Sequence, residues 1–139
     1  MMKPFNIEPS DMKTMIADHM EKGFLENIID MFKHDISLYE CIGDLIKDER
    51  LVVRIGVSAL VETLKDEKPE NISKAIPSIL PLLKEQNPVL RSDAAYLLGM
   101  IGHKDVLPFL REAANDADEN VRIIAKEAIE EIDPGSDTV

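Results

Sequence analysis

The chain has 139 residues, which suffice for one domain with a substantial core, and 45% of them are hydrophobic although only 4% are aromatic. A core built from Leu, Ile, Val, Ala and Met favours helices over sheets. Acidic residues outnumber basic ones by 27 to 16, and the net charge of −11 disfavours binding to nucleic acid or to an anionic membrane.

Residues 1–36 are predicted to form a helical cap. Their beginning lacks the apolar run of a signal peptide, and no stretch of the chain is long and apolar enough to span a membrane, so we expect a cytoplasmic protein. A helix over residues 11–22 has one apolar face, formed by Met12, Met15, Ile16, His19 and Met20. A second helix follows, with apolar positions at Leu25, Ile28, Ile29 and Phe32. The pattern is typical of a degenerate repeat that closes one end of a helical stack.

Three later segments repeat one pattern when they are aligned on Arg54, Arg91 and Arg122, which lie 37 and 31 residues apart. Apolar residues recur at offsets 3, 6, 7 and 10 after each arginine and form one helical face. A second apolar helix precedes each arginine, and an acidic residue lies six places before it: Asp48, Glu85 and Asp116. The sequence therefore predicts three helix pairs, at 37–70, 71–102 and 103–133, followed by a short polar tail within a single all-α domain.

Capping signals mark the ends of the predicted helices. Ser37, with Glu40 three residues later, has the pattern of a capping box. Asn87, which is followed by a proline, and Asp118 are predicted N-caps of later helices. Gly102 is predicted to end a helix.

Two irregularities interrupt the repeats. The first spacing is six residues longer than the second, and the extra residues fall in Lys65–Ser73, a polar stretch with a proline. This stretch predicts a longer loop. Pro81 lies inside a predicted helix, where it removes a hydrogen bond and should kink the helix.

The sequence Glu-Gln-Asn-Pro-Val-Leu-Arg at 85–91, with the small and apolar residues that follow it, resembles the HEAT-like repeat named for phycobilin lyases. Residues 116–122 resemble it too, and the likeness covers residues 37–132 well and 10–36 weakly. It implies a right-handed α-α superhelix, a HEAT-like solenoid of about four antiparallel helix pairs, the first degenerate. In this family the second helices line the concave surface, where partners bind. We expect the repeated acids and arginines to pair between neighbouring repeats.

No residue pattern predicts catalysis, a metal or a cofactor. The deoxyhypusine hydroxylases, which are built from such repeats, place His-Glu directly after the repeat arginine, whereas this chain has Ile-Gly, Ser-Asp and Ile-Ile there. His19, His34 and His103 lie far apart in the sequence. Cys41 cannot form an internal disulfide, and we expect it to be a buried, inert thiol. We therefore expect a protein that is not an enzyme.

Offsets 1, 4, 5 and 8 after each repeat arginine are predicted to face the concave surface. The candidate binding residues are Ile55, Ser92, Ala95, Tyr96, Gly99 and Ile123. Tyr96 would anchor a partner in a shallow groove. An acidic rim at Glu62, Glu127 and Glu130 favours a basic partner or an amphipathic basic helix. In the alternative interpretation, Ala95 and Gly99 only permit close helix packing and Tyr96 is ordinary surface.

The sequence favours a scaffold that binds another protein, whose identity it does not specify. The alternative is a non-catalytic or accessory subunit of a bilin lyase or a similar cofactor-handling enzyme, which rests on the repeat subtype alone. Ile123 and Ile124 lie off the repeat pattern. They either fill space beside small neighbours or form the contact of an end-to-end homodimer.

Overall fold

The computed structural model describes residues 9–135, and within that range the regular structure is all helical. The α-helices are α1 (Pro9–Glu21), α2 (Leu25–His34), α3 (Ile42–Ile46), α4 (Leu51–Glu67), α5 (Ile76–Ile79), α6 (Pro88–Ile101), α7 (Leu107–Ala113) and α8 (Glu119–Ile132). Shorter 3₁₀ segments extend the first helix of each later pair: Ile36–Cys41, Ile72–Ala75, Leu80–Lys84 and Lys104–Val106. The helices stack as four antiparallel pairs, which is the arrangement of an α-solenoid. Residues 136–139 of the polar tail predicted after residue 133 lie outside the described residues.

The apolar positions that repeat in the sequence form the core of the stack. In α4 the buried side chains at the predicted offsets are Val57, Leu60, Val61 and Leu64; in α6 they are Ala94, Leu97, Leu98 and Ile101; in α8 they are Ala125, Ala128, Ile129 and Ile132. Burying a side chain of the size of leucine stabilises a fold by about 1.5–3 kcal/mol. The predicted helical face is therefore confirmed, and burial of this face holds successive pairs together.

Three of the predicted caps are present. The Asn87 side chain accepts a hydrogen bond from the Val89 amide at 2.9 Å, and Asp118 accepts one from the Val121 amide at 3.1 Å. Gly102 ends α6 in the left-handed region at φ 80°, which suits a residue without a Cβ.

The predicted capping box at Ser37 is wrong. Asp35 caps this segment instead, since its carboxylate accepts hydrogen bonds from both the amide and the hydroxyl of Ser37. A carboxylate is the stronger acceptor and lies two residues earlier, so the helical segment begins at Ile36 rather than after Ser37.

The predicted loop at Lys65–Ser73 is shorter than expected. α4 continues to Glu67 and has 17 residues, compared with 14 in both α6 and α8, and the next 3₁₀ segment already begins at Ile72. The extra residues therefore lengthen a helix by about one turn. Around Pro81 the chain changes from α-helix to 3₁₀ helix, because proline cannot donate the hydrogen bond that the α-helix requires.

The helices α6 and α8 approach each other closely at one glycine. A Cβ placed on Gly99 would lie 2.6 Å from the Cβ of Ala128 and 2.8 Å from its Cα. Two small residues therefore set the distance between these second helices. None of the helices in residues 9–135 combines the length and the apolar character that a membrane span requires.

Candidate binding surface

The repeat arginines hold neighbouring repeats together. The guanidinium of Arg91 donates two hydrogen bonds to the carboxylate of Asp116, at 2.9 and 3.0 Å, and two more to the carbonyls of Glu85 and Gln86. The contact with Arg91 is the main reason why the pKa of Asp116 is lowered. The predicted pairing between neighbouring repeats is thus present at Arg91.

Arg122 repeats the second half of this arrangement. Its Nη1 donates to the carbonyls of Asp116 and Ala117, at 2.8 and 3.1 Å, which lie six and five residues before it, as Glu85 and Gln86 do before Arg91. Each of these two arginines therefore fixes the turn between the two helices of its own pair.

Arg54 also pairs with the neighbouring repeat, but not with the repeated acid Glu85, so the predicted partner is wrong. The carboxylate that binds the Arg54 guanidinium is Asp93 of α6, at 2.9 and 3.2 Å, whereas Glu85 lies 3.8 Å from the ammonium of Lys47. Asp93 lies two residues after Arg91, on the side of α6 that faces α4. The contact still joins neighbouring repeats, but it joins the second helices directly.

Arg50 was not anticipated from the sequence. It donates to both oxygens of Asp48, and its Nη1 also bonds Asp18 and Glu21 of α1, at 2.9 and 3.2 Å. The hydrogen bond from Arg50 lowers the pKa of Asp48 to about 2. The repeat alignment gave no signal for this role, because Arg50 occupies the N-cap position that Asn87 and Asp118 hold in the other pairs.

Tyr96 lies at the centre of the surface formed by the second helices. Its side chain is 51% exposed and borders two depressions. Toward α4 there is a crevice of about 130 Å³ that is lined in part by Leu51 and Ile55. Toward α8 there is a wider hollow of about 730 Å³, lined by Ile124, Glu127, Ala128, Glu130, Glu131 and Pro134. We call the outward side chains of α4, α6 and α8 the second-helix face.

Two predicted lining residues do not belong to this face. Ala95 and Gly99 are buried, and Gly99 faces Ala128 of α8. The prediction that they line an open groove is wrong, because offsets 4 and 8 of α6 face the following helix rather than solvent. Ser92 is half-buried, whereas Ile55 and Ile123 are exposed as a contact surface requires.

The acidic residues of the face are exposed. These are the predicted rim residues Glu62, Glu127 and Glu130, together with Glu131, which was not predicted and borders the hollow beside Glu127 and Glu130. Among residues 9–135 none of these four carboxylates has a lysine, arginine or histidine within ion-pair distance. Their charge is therefore not neutralised by neighbouring side chains.

Ile123 and Ile124 differ in their surroundings. Ile124 is partly buried and packs against the core, which agrees with the interpretation that it fills space beside small neighbours. Ile123 is exposed on α8. A homodimer contact at this end stays a prediction.

The cysteine and the histidines lie apart from one another. Cys41 is half-buried rather than fully buried as predicted, and its pKa is raised by burial first and then by the nearby Asp44. A raised pKa disfavours the reactive thiolate. Nδ1 of His34, the last residue of α2, lies 2.8 Å from the Asp30 carbonyl, and that of His103 accepts a hydrogen bond from the Asp105 amide. Within the described range no three His, Cys, Asp or Glu residues are grouped so that they could hold a metal ion.

A separate cleft lies among the first helices. It has a volume of about 710 Å³ and is bordered by Pro81, Phe109 and the paired Lys84 and Glu112. Phe109 is 46% exposed, which is close to the exposure of Tyr96. It therefore provides a matched aromatic position outside the second-helix face.

Part of the chain resembles a known protein family. Residues 76–139 match the sequence model of the family of HEAT repeats. Together with the all-helical stack, this match supports a HEAT-like repeat protein, whereas the phycobilin-lyase subtype stays a prediction. No curated protein matches the chain.

Proposed function

We propose that the protein is a scaffold that binds another protein, preferably a basic one, through its second-helix face. HEAT repeats generally mediate contacts between proteins, and the match to them covers α6 and α8. The observation that carries the proposal is the position of Tyr96, a half-exposed aromatic residue between two depressions. Tyrosine is among the residues that dominate binding energy at protein interfaces.

The exposed neighbours of Tyr96 suit a protein partner. Ile55 is 60% exposed on α4, and Leu51 beside it borders the same crevice. Apolar contacts of this kind gain about 25 cal/mol for each Å² of surface that a partner covers. The exposed glutamates of α8 favour a partner of positive charge.

Affinity purification of the tagged protein from its native cells tests this proposal. A partner that binds the wild-type protein should be retained at least about tenfold less well by the Tyr96→Ala and Ile55→Asp variants. This loss is expected for residues at the centre of an interface. The matched control is Phe109→Ala, which removes an aromatic ring of similar exposure from the first-helix side.

The control variant should retain the partner as the wild-type protein does. If all partners are retained equally by the Tyr96 and Ile55 variants, or are lost with Phe109→Ala instead, the second-helix face is not the binding surface. Circular dichroism of each variant checks that the helical fold is intact.

A further inference from the structure

We infer that the occupant of the second-helix face is an amphipathic basic segment that lies across α4, α6 and α8 in one orientation. Its apolar side covers the amino-terminal halves of these helices, and its basic edge follows their carboxy-terminal halves. This inference rests on the proposed function and adds the chemistry and the direction of the partner.

Apolar exposure is concentrated on the second helices. Nine large hydrophobic side chains are exposed in residues 9–135, and six of them lie on α4, α6 and α8. Five of these six lie in the first two turns of their helices: Leu51, Val52, Ile55, Val89 and Ile123. They form an apolar row at the amino-terminal ends, and Tyr96 marks its edge.

Acidic residues occupy the other ends of two of these helices. In the second half of α4 the exposed acids are Glu62, Asp66 and Glu67, and in that of α8 they are Glu127, Glu130 and Glu131. Glu67 pairs with Lys33. The lysines within these two halves are Lys65 of α4 and Lys126 of α8, so each half has three acids and one lysine. The carboxy-terminal edge therefore has a net negative charge.

The apolar row and the row of acidic residues at the carboxy-terminal edge run parallel to each other across the stack. Second helices of successive antiparallel pairs run in the same direction, so their amino-terminal ends lie side by side. Neighbouring helices are about 8–10 Å apart, and three of them span about 20 Å, which a helical partner of about 14 residues covers. A partner with leucines on one side and arginines along one edge matches both rows only when it lies in one direction.

The hollow beside Tyr96 has the surroundings that a long cationic side chain needs. Ile124, Ala128 and Pro134 provide apolar contacts for its aliphatic part, and the glutamates of α8 surround the opening. Arginine and lysine bury their stems and keep the charged end near the surface. A guanidinium over the Tyr96 ring would gain a further cation–π contact.

Fluorescence anisotropy with three labelled 14-residue peptides tests the inference. The first peptide has leucines on one helical side and arginines along one edge; the second has the same composition in scrambled order; the third has glutamate in place of arginine. We expect the first to bind at least about tenfold more tightly than the other two. Equal binding of the first and second peptides would mean that charge alone attracts them and would overturn the inference.

Charge reversal locates the basic edge. Glu127→Lys with Glu131→Lys should weaken the first peptide about tenfold and reduce the salt dependence of its binding. The matched control, Glu40→Lys with Asp44→Lys, makes the same change in net charge at exposed positions of the first helices. An equal loss in both double variants contradicts the proposed orientation.

The two proposals can fail separately. If a native partner depends on Tyr96 in the affinity experiment but none of the peptides binds, the scaffold function stands and the inferred occupant is wrong. If the first peptide binds at Tyr96 but no native partner depends on that residue, the face accepts this chemistry and the proposed function is wrong.

Discussion

At the scale of single residues, the stack depends on places where only a small side chain fits. Gly99 was predicted from the sequence either to line a groove or to allow close packing, and the structure supports the packing interpretation. The register of the repeat arginines and the pairing of Arg91 with Asp116 could also be predicted, whereas the partner of Arg54 could not. Arg54 binds Asp93 rather than Glu85 because the length and direction of a side chain, which a repeat alignment does not contain, decide which carboxylate it reaches.

Replacing Gly99 with alanine should destabilise the protein. Alanine favours a helix by about 1 kcal/mol over glycine, but the new methyl group would meet both the backbone and the side chain of Ala128. Overpacking of this kind costs about 1–3 kcal/mol, so we expect a net loss in the free energy of unfolding. Urea denaturation of Gly99→Ala and the wild-type protein measures it.

Gly56→Ala is the matched control for this substitution. A Cβ on Gly56 would lie 3.2 Å from the sulfur of Met20, a flexible side chain that can move aside. The free energy of unfolding should therefore stay the same or rise. If both alanine variants have the same stability, the close approach of α6 and α8 is not constrained by Gly99.

At the scale of helices, the sequence predicted the elements well and their ends less well. The apolar offsets identified the buried sides of α4, α6 and α8, because a period of 3.6 residues repeats in all three. The capping box failed at Ser37 because an equally local signal, Asp35, competes with it. The cap of the stack was predicted from residues 1–36, but its attachment through Arg50 depends on a contact between positions 32 residues apart.

Replacing Arg50 with leucine should loosen α1. The guanidinium joins Asp48, in the turn between the two helices of the second pair, to Asp18 and Glu21 of α1, and leucine would leave these three carboxylates without that cation. We expect amide hydrogen exchange in α1 to become about tenfold faster, while α6 and α8 keep their protection, because local openings are independent in a repeat stack.

Arg111→Leu serves as the control, since Arg111 is an exposed arginine of α7 at the opposite end of the stack. It should leave the exchange of α1 unchanged. Uniform acceleration throughout the chain in Arg50→Leu would mean that the stack opens as one unit and would contradict a separately attached cap.

At the scale of the whole molecule, the sequence indicated a surface but not its shape. Tyr96, Ile55 and Ile123 were predicted to be exposed, and they are. Ala95 was assigned to the same surface, but it is buried. Its offset of 4 faces the following helix when another repeat comes next. The separation of apolar and acidic rows also escaped the sequence analysis, since it arises only when the second helices lie side by side.

This surface is the basis of the proposed scaffold. Its apolar residues are exposed on helices whose other sides are already packed in the core. In residues 9–135, Glu62 and the three exposed glutamates of its α8 hollow have no cationic neighbours within ion-pair distance. Both properties are accounted for if a second protein covers the face. Contact between a partner and position 96 is therefore the central claim.

Photo-crosslinking in native cells tests this claim most directly. A photoreactive benzoylphenylalanine is placed either at position 96, on the second-helix face, or at position 109, where Phe109 has similar exposure on the first-helix side. We expect position 96 to form a crosslinked adduct with a second protein, and Ile55→Asp to abolish this adduct. Position 109 should not form it. A partner that crosslinks to position 109 and not to position 96 would contradict this claim.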